Sequence, residues 1–170
     1  MMYAQLPLIE NSDTNASPDT NNNVYALKAA YVMNFCNFIT WPKAVISKQK
    51  KFTVGTLNPN VYQQFQTIFV NKDRNGLPIE IIYIDPVENI QAIKTCQVLF
   101  IDNHITNIDL LLATVLDIPI LTISDDEIAS HKDSMIKLIK QKRKLRFSIN
   151  QKKAKSVGLT ISAKLLRIAK

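Results

Sequence analysis

The chain has 170 residues, 46% of them hydrophobic, with 21 Lys and Arg against 14 Asp and Glu and a formal net charge of +7. That is long enough for one domain with a sizeable core. No apolar run reaches the roughly eighteen residues a membrane-crossing helix needs. The three glycines, Gly55, Gly76 and Gly158, form no phosphate-cradling loop, which excludes nucleotide binding by a P-loop or a dinucleotide fingerprint.

Residues 1–22 run through Asn11-Ser12-Asp13-Thr14-Asn15 and similar polar stretches. They bury little and are expected to form a disordered tail ahead of one domain over residues 23–170. The N-terminus lacks a basic region followed by an apolar core. The chain therefore reads either as cytoplasmic or as an exported protein whose signal has been removed. From Asn23, an N-cap, Leu27, Tyr31, Phe35 and Phe38 stripe a helix to about Ile39. Trp41-Pro42 stops it.

Phe52–Leu57 reads as a strand, Val61–Val70 as a helix, and 71–76 as a turn. Ile79–Ile84 is a second strand, Val87–Lys94 a short helix, and Gln97–Asp102 a continuously apolar third strand of the kind covered on both faces. Ile105–Leu116 is helical, Pro119–Ile123 a fourth strand, and Ser124 or Asp125 caps a short helix through His131. Ile136 and Leu138, then Leu145, Phe147 and Ile149, alternate on both sides of a polar turn and share one face of a hairpin. Gly158 ends a short helix, and Thr160 or Ser162 caps a last one whose Lys164, Arg167 and Lys170 line its wet side. Repeated strand–helix alternation predicts an α/β fold. It has three layers: a mostly parallel sheet of about four strands, helices on both faces, and a C-terminal antiparallel hairpin at one edge.

Charge is lopsided. Ser134–Lys170 carries twelve Lys and Arg and no acid, whereas residues 1–133 carry nine basic and fourteen acidic residues. The basic third is either a solvated surface or a patch for an anionic partner. Its single aromatic, Phe147, alternates inward and offers no stacking platform, so nucleic acid is not an expected partner.

Clustered catalytic groups are missing. Asp102-Asn103-His104 ends the third strand, as in phosphoacceptor domains, yet Asn58 and Asn60 stand where those need acids for magnesium. Asp102 then reads as a helix cap. Ser124 with His104 or His131 and an aspartate makes a triad on paper, without a nucleophile elbow. Two isolated histidines give no metal spacing. Cys36 and Cys96 permit one disulfide without requiring it, buried free thiols being the alternative. No enzyme, metal or cofactor is expected.

Three stretches, taken in order, resemble the YfiR family. The first is Leu27–Pro42, with its Tyr-x-x-Asn-Phe-x-x-Phe core (Tyr31, Asn34, Phe35, Phe38) and Trp41-Pro42. The second is Cys96-Gln97-Val98-Leu99-Phe100-Ile101. The third combines Pro119–Asp125 and Met135-Ile136 with Arg146-Phe147-Ser148-Ile149-Asn150 and the ending Gly158-Leu159-Thr160-Ile161-Ser162 through Ala169.

The resemblance implies a non-catalytic periplasmic protein. Such proteins bind the periplasmic domain of an inner-membrane diguanylate cyclase, lower cyclic di-GMP and restrain biofilm formation. An outer-membrane lipoprotein relieves them, and homodimers are a family feature. The resemblance also implies a disulfide at Cys96, for which Cys36 is the only candidate in the chain. Trp41 is either core or part of an exposed Trp-Pro corner. In the latter case it joins Arg146, Lys164 and Arg167 as a candidate contact for acidic loops or for a small carboxylate or phosphate ligand. The alternative function is a small-ligand sensor, taking an aromatic amino acid or a phosphate ester at the strand ends.

Overall fold

Side chains alternate along a strand, so each strand divides its apolar residues between two faces of the sheet. The computed structural model describes residues 18–86, 88–125 and 134–169. Within them the chain runs α1 (Pro18–Phe38), β1 (Ile39–Thr40), α2 (Lys43–Ile46), β2 (Phe52–Thr56), α3 (Pro59–Phe69), β3 (Asp73–Arg74) and β4 (Leu77–Tyr83). A 3-10 turn (Ile90–Thr95), β5 (Val98–Ile101), α4 (Ile108–Thr114), β6 (Leu121–Asp125), β7 (Ile136–Gln141) and β8 (Lys144–Ile149) follow. The chain closes with α5 (Gln151–Ser156), β9 (Thr160–Ile161) and α6 (Ala163–Ile168).

Seven strands form one sheet in the order β3-β4-β2-β5-β6-β7-β8. β4, β2, β5, β6 and β7 are parallel, and only β8 and the two-residue β3 are antiparallel. The α/β class holds, but the expected four parallel strands become five. The first hairpin strand joins β6 in parallel, with Ile123 opposite Ile136 and Asp125 opposite Leu138. Alternation fixes which face a residue takes. It is blind to the direction of the neighbouring strand, so the sequence pattern could not separate the two arrangements. The expected pairing within the hairpin is present, with Ile136 opposite Ile149 and Leu138 opposite Phe147.

Val98 and Phe100 of β5 face one core with Phe52, Val54, Ile123, Leu138 and Phe147, covered by α1 and α3. Leu99 and Ile101 face the other, with Leu57, Ile84 and Ile93, under the 3-10 turn and α4. Leu27, Tyr31 and Phe35 are buried as the helical stripe requires. α1 begins at Pro18, five residues before the expected Asn23. The helix foreseen from Val87 is a 3-10 turn beginning at Ile90. Val87, the residues before Pro18, and the helix expected from Asp126 through His131 lie outside the described residues.

Caps follow the polar residues. Asn58 accepts from Asn60 N at 2.8 Å ahead of Pro59, the first residue of α3. Ser162 accepts from Lys164 N at the start of α6. Gly158 has φ 84°, and a Cβ there would lie 2.9 Å from Pro42 Cγ. Only glycine suits both its left-handed backbone and that close approach. The turn brings β9 back against β1, Ile161 opposite Ile39, tying the chain's end to the end of α1.

Candidate functional site

β2 is the strand at which the winding reverses. The chain leaves it through α3 to β4 on one side, then crosses back to β5 on the other. Connections that diverge from such a point leave a crevice at the carboxyl ends of the two strands, where open α/β sheets bind ligands. Asn58 follows β2 and Asp102 follows β5.

Asn58 Nδ2 donates to Asp102 Oδ2 at 2.6 Å. His104 Nδ1 lies 2.7 Å from the same oxygen. A carboxylate only accepts, so that nitrogen carries the proton, leaving Nε2 as the second nitrogen of a largely exposed ring. The Asp102 side chain is 3% exposed. Its Oδ1 is buried and meets no hydrogen-bond donor among the described residues.

A second carboxylate, Asp125, ends β6 and is paired with Lys28 of α1. Tyr25, one turn earlier on α1, stacks under the Lys28 ammonium at 5.7 Å. Burial, then the charges of Asp102 and Asp125, raise the Tyr25 hydroxyl above the ordinary phenol pKa. The N-terminal part of α1 thus brings Tyr25 within the field of both carboxylates.

Several sequence expectations change here. Asp102 is not a helix cap: the N-cap of α4 is Asn107, at φ 61° and without a side-chain cap bond. Ser124 is buried, and its hydroxyl lies 2.6 Å from that of Ser134. That contact uses the group a triad would need as its nucleophile. Among the described residues no three His, Cys, Asp or Glu side chains converge as a metal site.

Trp41 is core, not an exposed corner. It is 3% exposed, donates Nε1–H to Gln97 O at 3.1 Å and stands edge-on to Phe52 at 5.0 Å. The ring packs on Phe52 of β2 and faces the Arg74 guanidinium, so the indole is not presented at the surface of the chain.

Arg74 went unnoticed in the sequence, where it sits in a turn. It is 6% exposed and donates Nε to Cys36 O and a terminal nitrogen to Ile39 O, both at 2.7 Å. Its guanidinium lies 4.9 Å from the Trp41 ring centroid and 5.3 Å from that of Phe52. The one signal available was negative. α1 has no basic residue in its last turn, so its final carbonyls need donors from elsewhere.

Arg146, Lys164 and Arg167 are exposed. Arg146 lies on β8, where its charge is felt at Tyr31 of α1, whose hydroxyl bonds Leu145 O at 2.7 Å. Lys164 and Arg167 lie on α6, which packs on α1. The three share α1 as a neighbour.

A family model described as YfiR/HmsC-like matches residues 25–170. The chain belongs to the YfiR/HmsC-like family. No curated protein matches it. The match begins at Tyr25 and spans the carboxyl-end cluster, both cores and the basic hairpin.

The disulfide that the resemblance implied for this YfiR/HmsC-like chain is absent: Cys36 and Cys96 are both free and buried. The sheet separates them. Cys36 belongs to the core beneath α1, whereas Cys96 lies on the opposite face with Leu99 and Ile84. A Cβ at Gly55 would lie 2.7 Å from Cys96 Sγ, so the thiol is packed against the sheet itself. Burial pushes each thiol up to about 12.

The thiolate is the reactive form, so neither cysteine of the folded protein should react with a disulfide reagent at neutral pH. Both should react after denaturation. Two unreactive thiols in the native state and two equivalents in guanidinium is the expected result, and rapid native labelling would contradict this packing. Because the folded-state pKa is raised, the thiols' contribution to stability falls as pH rises from about 8.5, the usual unfolded value, towards 12.

Proposed function

We propose that this protein is a non-catalytic periplasmic regulator. In this reading it binds the periplasmic domain of an inner-membrane diguanylate cyclase and holds it inactive, which lowers cyclic di-GMP and restrains biofilm formation. The family match across residues 25–170 carries this reading. It agrees with a described structure in which no helix is long and apolar enough to cross a membrane. It also agrees with the exposed cations of β8 and α6, which suit acidic loops on a partner.

The mechanism is occupancy. Preferential binding to one conformation of the cyclase shifts its population towards the inactive state, by no more than the difference in affinity between the two states. In this scheme an outer-membrane lipoprotein sequesters the regulator and relieves the inhibition, and the working unit is a homodimer.

The test is cellular cyclic di-GMP together with co-purification from membrane fractions. Deletion should raise cyclic di-GMP and biofilm, and re-expression should lower both. A triple charge reversal, R146E/K164E/R167E, should stay folded by circular dichroism but lose the cyclase and fail to complement. Unchanged cyclic di-GMP on both deletion and overexpression would sink the proposal.

A further inference from the structure

The two edges of the seven-stranded sheet are finished differently. β8, at one edge, carries Lys144 and Arg146, charges of the kind that keep a strand edge from pairing with another chain. At the other edge, β4 is covered only at its start. β3 pairs with Leu77 and Pro78, and the Lys72 carbonyl accepts from Ile79 N at 2.9 Å. Beyond that point no described strand lies beside it.

Which backbone groups face outward follows from the pairing with β2. Ile84 N–H donates to Thr56 O, and the Ile82 carbonyl accepts from the Thr56 hydroxyl, so these two residues turn their groups towards β2. Successive residues of a strand alternate, and Ile81 and Tyr83 therefore turn theirs away from it. A cleft of about 830 Å³ runs beside this stretch, bordered on the α3 side by Tyr62, Gln66 and Phe69. Tyr83 is 40% exposed and meets the Tyr62 ring at 6.3 Å. From Ile81 to Ile84 the strand carries no charge, and Glu80 is paired with Lys51 at 2.8 Å. An uncharged, apolar edge with room beside it is a template for another strand.

We propose that this edge is the contact between two copies of the chain, β4 against β4 in antiparallel pairing about a two-fold axis, so that the sheet continues from one copy into the next. The proposal rests on the homodimer of the function proposed above and names its surface. Lys72 closes the edge at Ile79. The symmetric register that uses the whole free stretch, Glu80 to Ile84, is centred on Ile82. Ile81 of each copy then exchanges hydrogen bonds with Tyr83 of the other. Ile82 meets Ile82, the two Tyr83 rings are diagonal neighbours within aromatic reach, and Glu80 lies opposite Ile84 rather than another acid. The same register brings Asp85 of the second copy up to Lys72, which makes the contact complementary in charge as well as in shape. A strand of another protein would have to reproduce this order of apolar residues and acid, whereas a second copy has it by symmetry.

The experiment is sedimentation of the purified full chain over a concentration series, with amide hydrogen exchange read residue by residue. The wild type should sediment at twice the chain mass when concentrated and dissociate on dilution. Its Ile81 and Tyr83 amides should exchange at least about tenfold more slowly in the dimer than in the monomer. Tyr83→Pro removes one outward N–H and leaves the pairing with β2 alone, a change that an edge strand tolerates. Tyr83→Lys sets two ammonium groups near each other across the axis. Each should weaken the dimer at least about tenfold, and Lys144→Glu on the β8 edge should leave it unchanged. A dimer undiminished in both Tyr83 variants overturns this surface and leaves the homodimer standing, whereas a wild type that stays a monomer overturns both. Slow exchange of the two amides in a monomer would show the edge covered by the chain itself, and overturns the proposal too. Should the variants fold poorly, the concentration dependence of the two wild-type amides decides by itself. Regulation of the cyclase is read separately, from cyclic di-GMP on deletion.

Discussion

Trp41→Ala is expected to destabilise the protein by about 3–5 kcal/mol, the usual cost of truncating a fully packed aromatic residue. Three losses add. The cavity left behind is bounded by Phe52 and by the Arg74 guanidinium, which its bonds to the Cys36 and Ile39 carbonyls keep from closing in. The Gln97 carbonyl loses its indole donor. The cation–π contact with Arg74 disappears as well, leaving the guanidinium against Phe52 alone. For a domain of this size each kcal/mol lowers the melting temperature by about 2–4 °C, so a fall on the order of 10 °C should appear in a thermal scan. Trp41→Phe should recover much of the packing and none of the hydrogen bond. An alanine variant within about 1 kcal/mol of the parent would show that the indole is not core, since most large-to-small changes in a packed interior exceed that.

Arg74→Met should cost about as much, by a different route. Its guanidinium satisfies the carbonyls of Cys36 and Ile39 at the end of α1. A buried acceptor left without a donor costs about 1–3 kcal/mol. Two such acceptors, less what the apolar methionine regains in packing, come to roughly 3 kcal/mol. Burial lowers the pKa of Arg74 from its ordinary value, yet an arginine keeps its charge at neutral pH.

Lysine should be a poor substitute. A single ammonium on a flexible stem cannot reproduce the planar fork that reaches both carbonyls while stacking on Trp41. Urea denaturation of Arg74→Met, Arg74→Lys and Trp41→Ala/Arg74→Met checks the account. The double variant should be clearly less destabilised than the sum of the singles, because each residue supports the other. Strict additivity would mean that the stacking contact carries no energy.

The comparison of sequence with structure is instructive at particular residues. The stripe Leu27, Tyr31, Phe35, the cap at Ser162, the stop at Gly158 and the shared face of Leu138 and Phe147 all depend on near neighbours in the chain. Helical and strand periods, backbone freedom at glycine and short polar side chains express themselves within a few residues, so they were legible. The candidate cluster was only half legible. Asp102 and His104 drew notice as a strand-end pair, and Asn58 as a missing acid, but nothing indicated that the three would meet or that one oxygen would be left over. Asn58 and Asp102 are brought together because β2 and β5 lie side by side at the reversal of winding.

The sequence by itself determined the α/β class, the division of each strand between two faces, the lopsided charge and, through its ordered stretches, the family. The tertiary structure alone decided that β7 runs parallel to β6, that Trp41 turns inward onto Arg74, that Cys36 and Cys96 lie on opposite sides of the sheet, and that Asp102 keeps an unpartnered oxygen among the described residues. The physical reason is common to all four. A side chain's own periodicity tells it whether to face the core. Which distant residue it meets there is set by the order in which strands pack, and that order is a property of the whole folded chain.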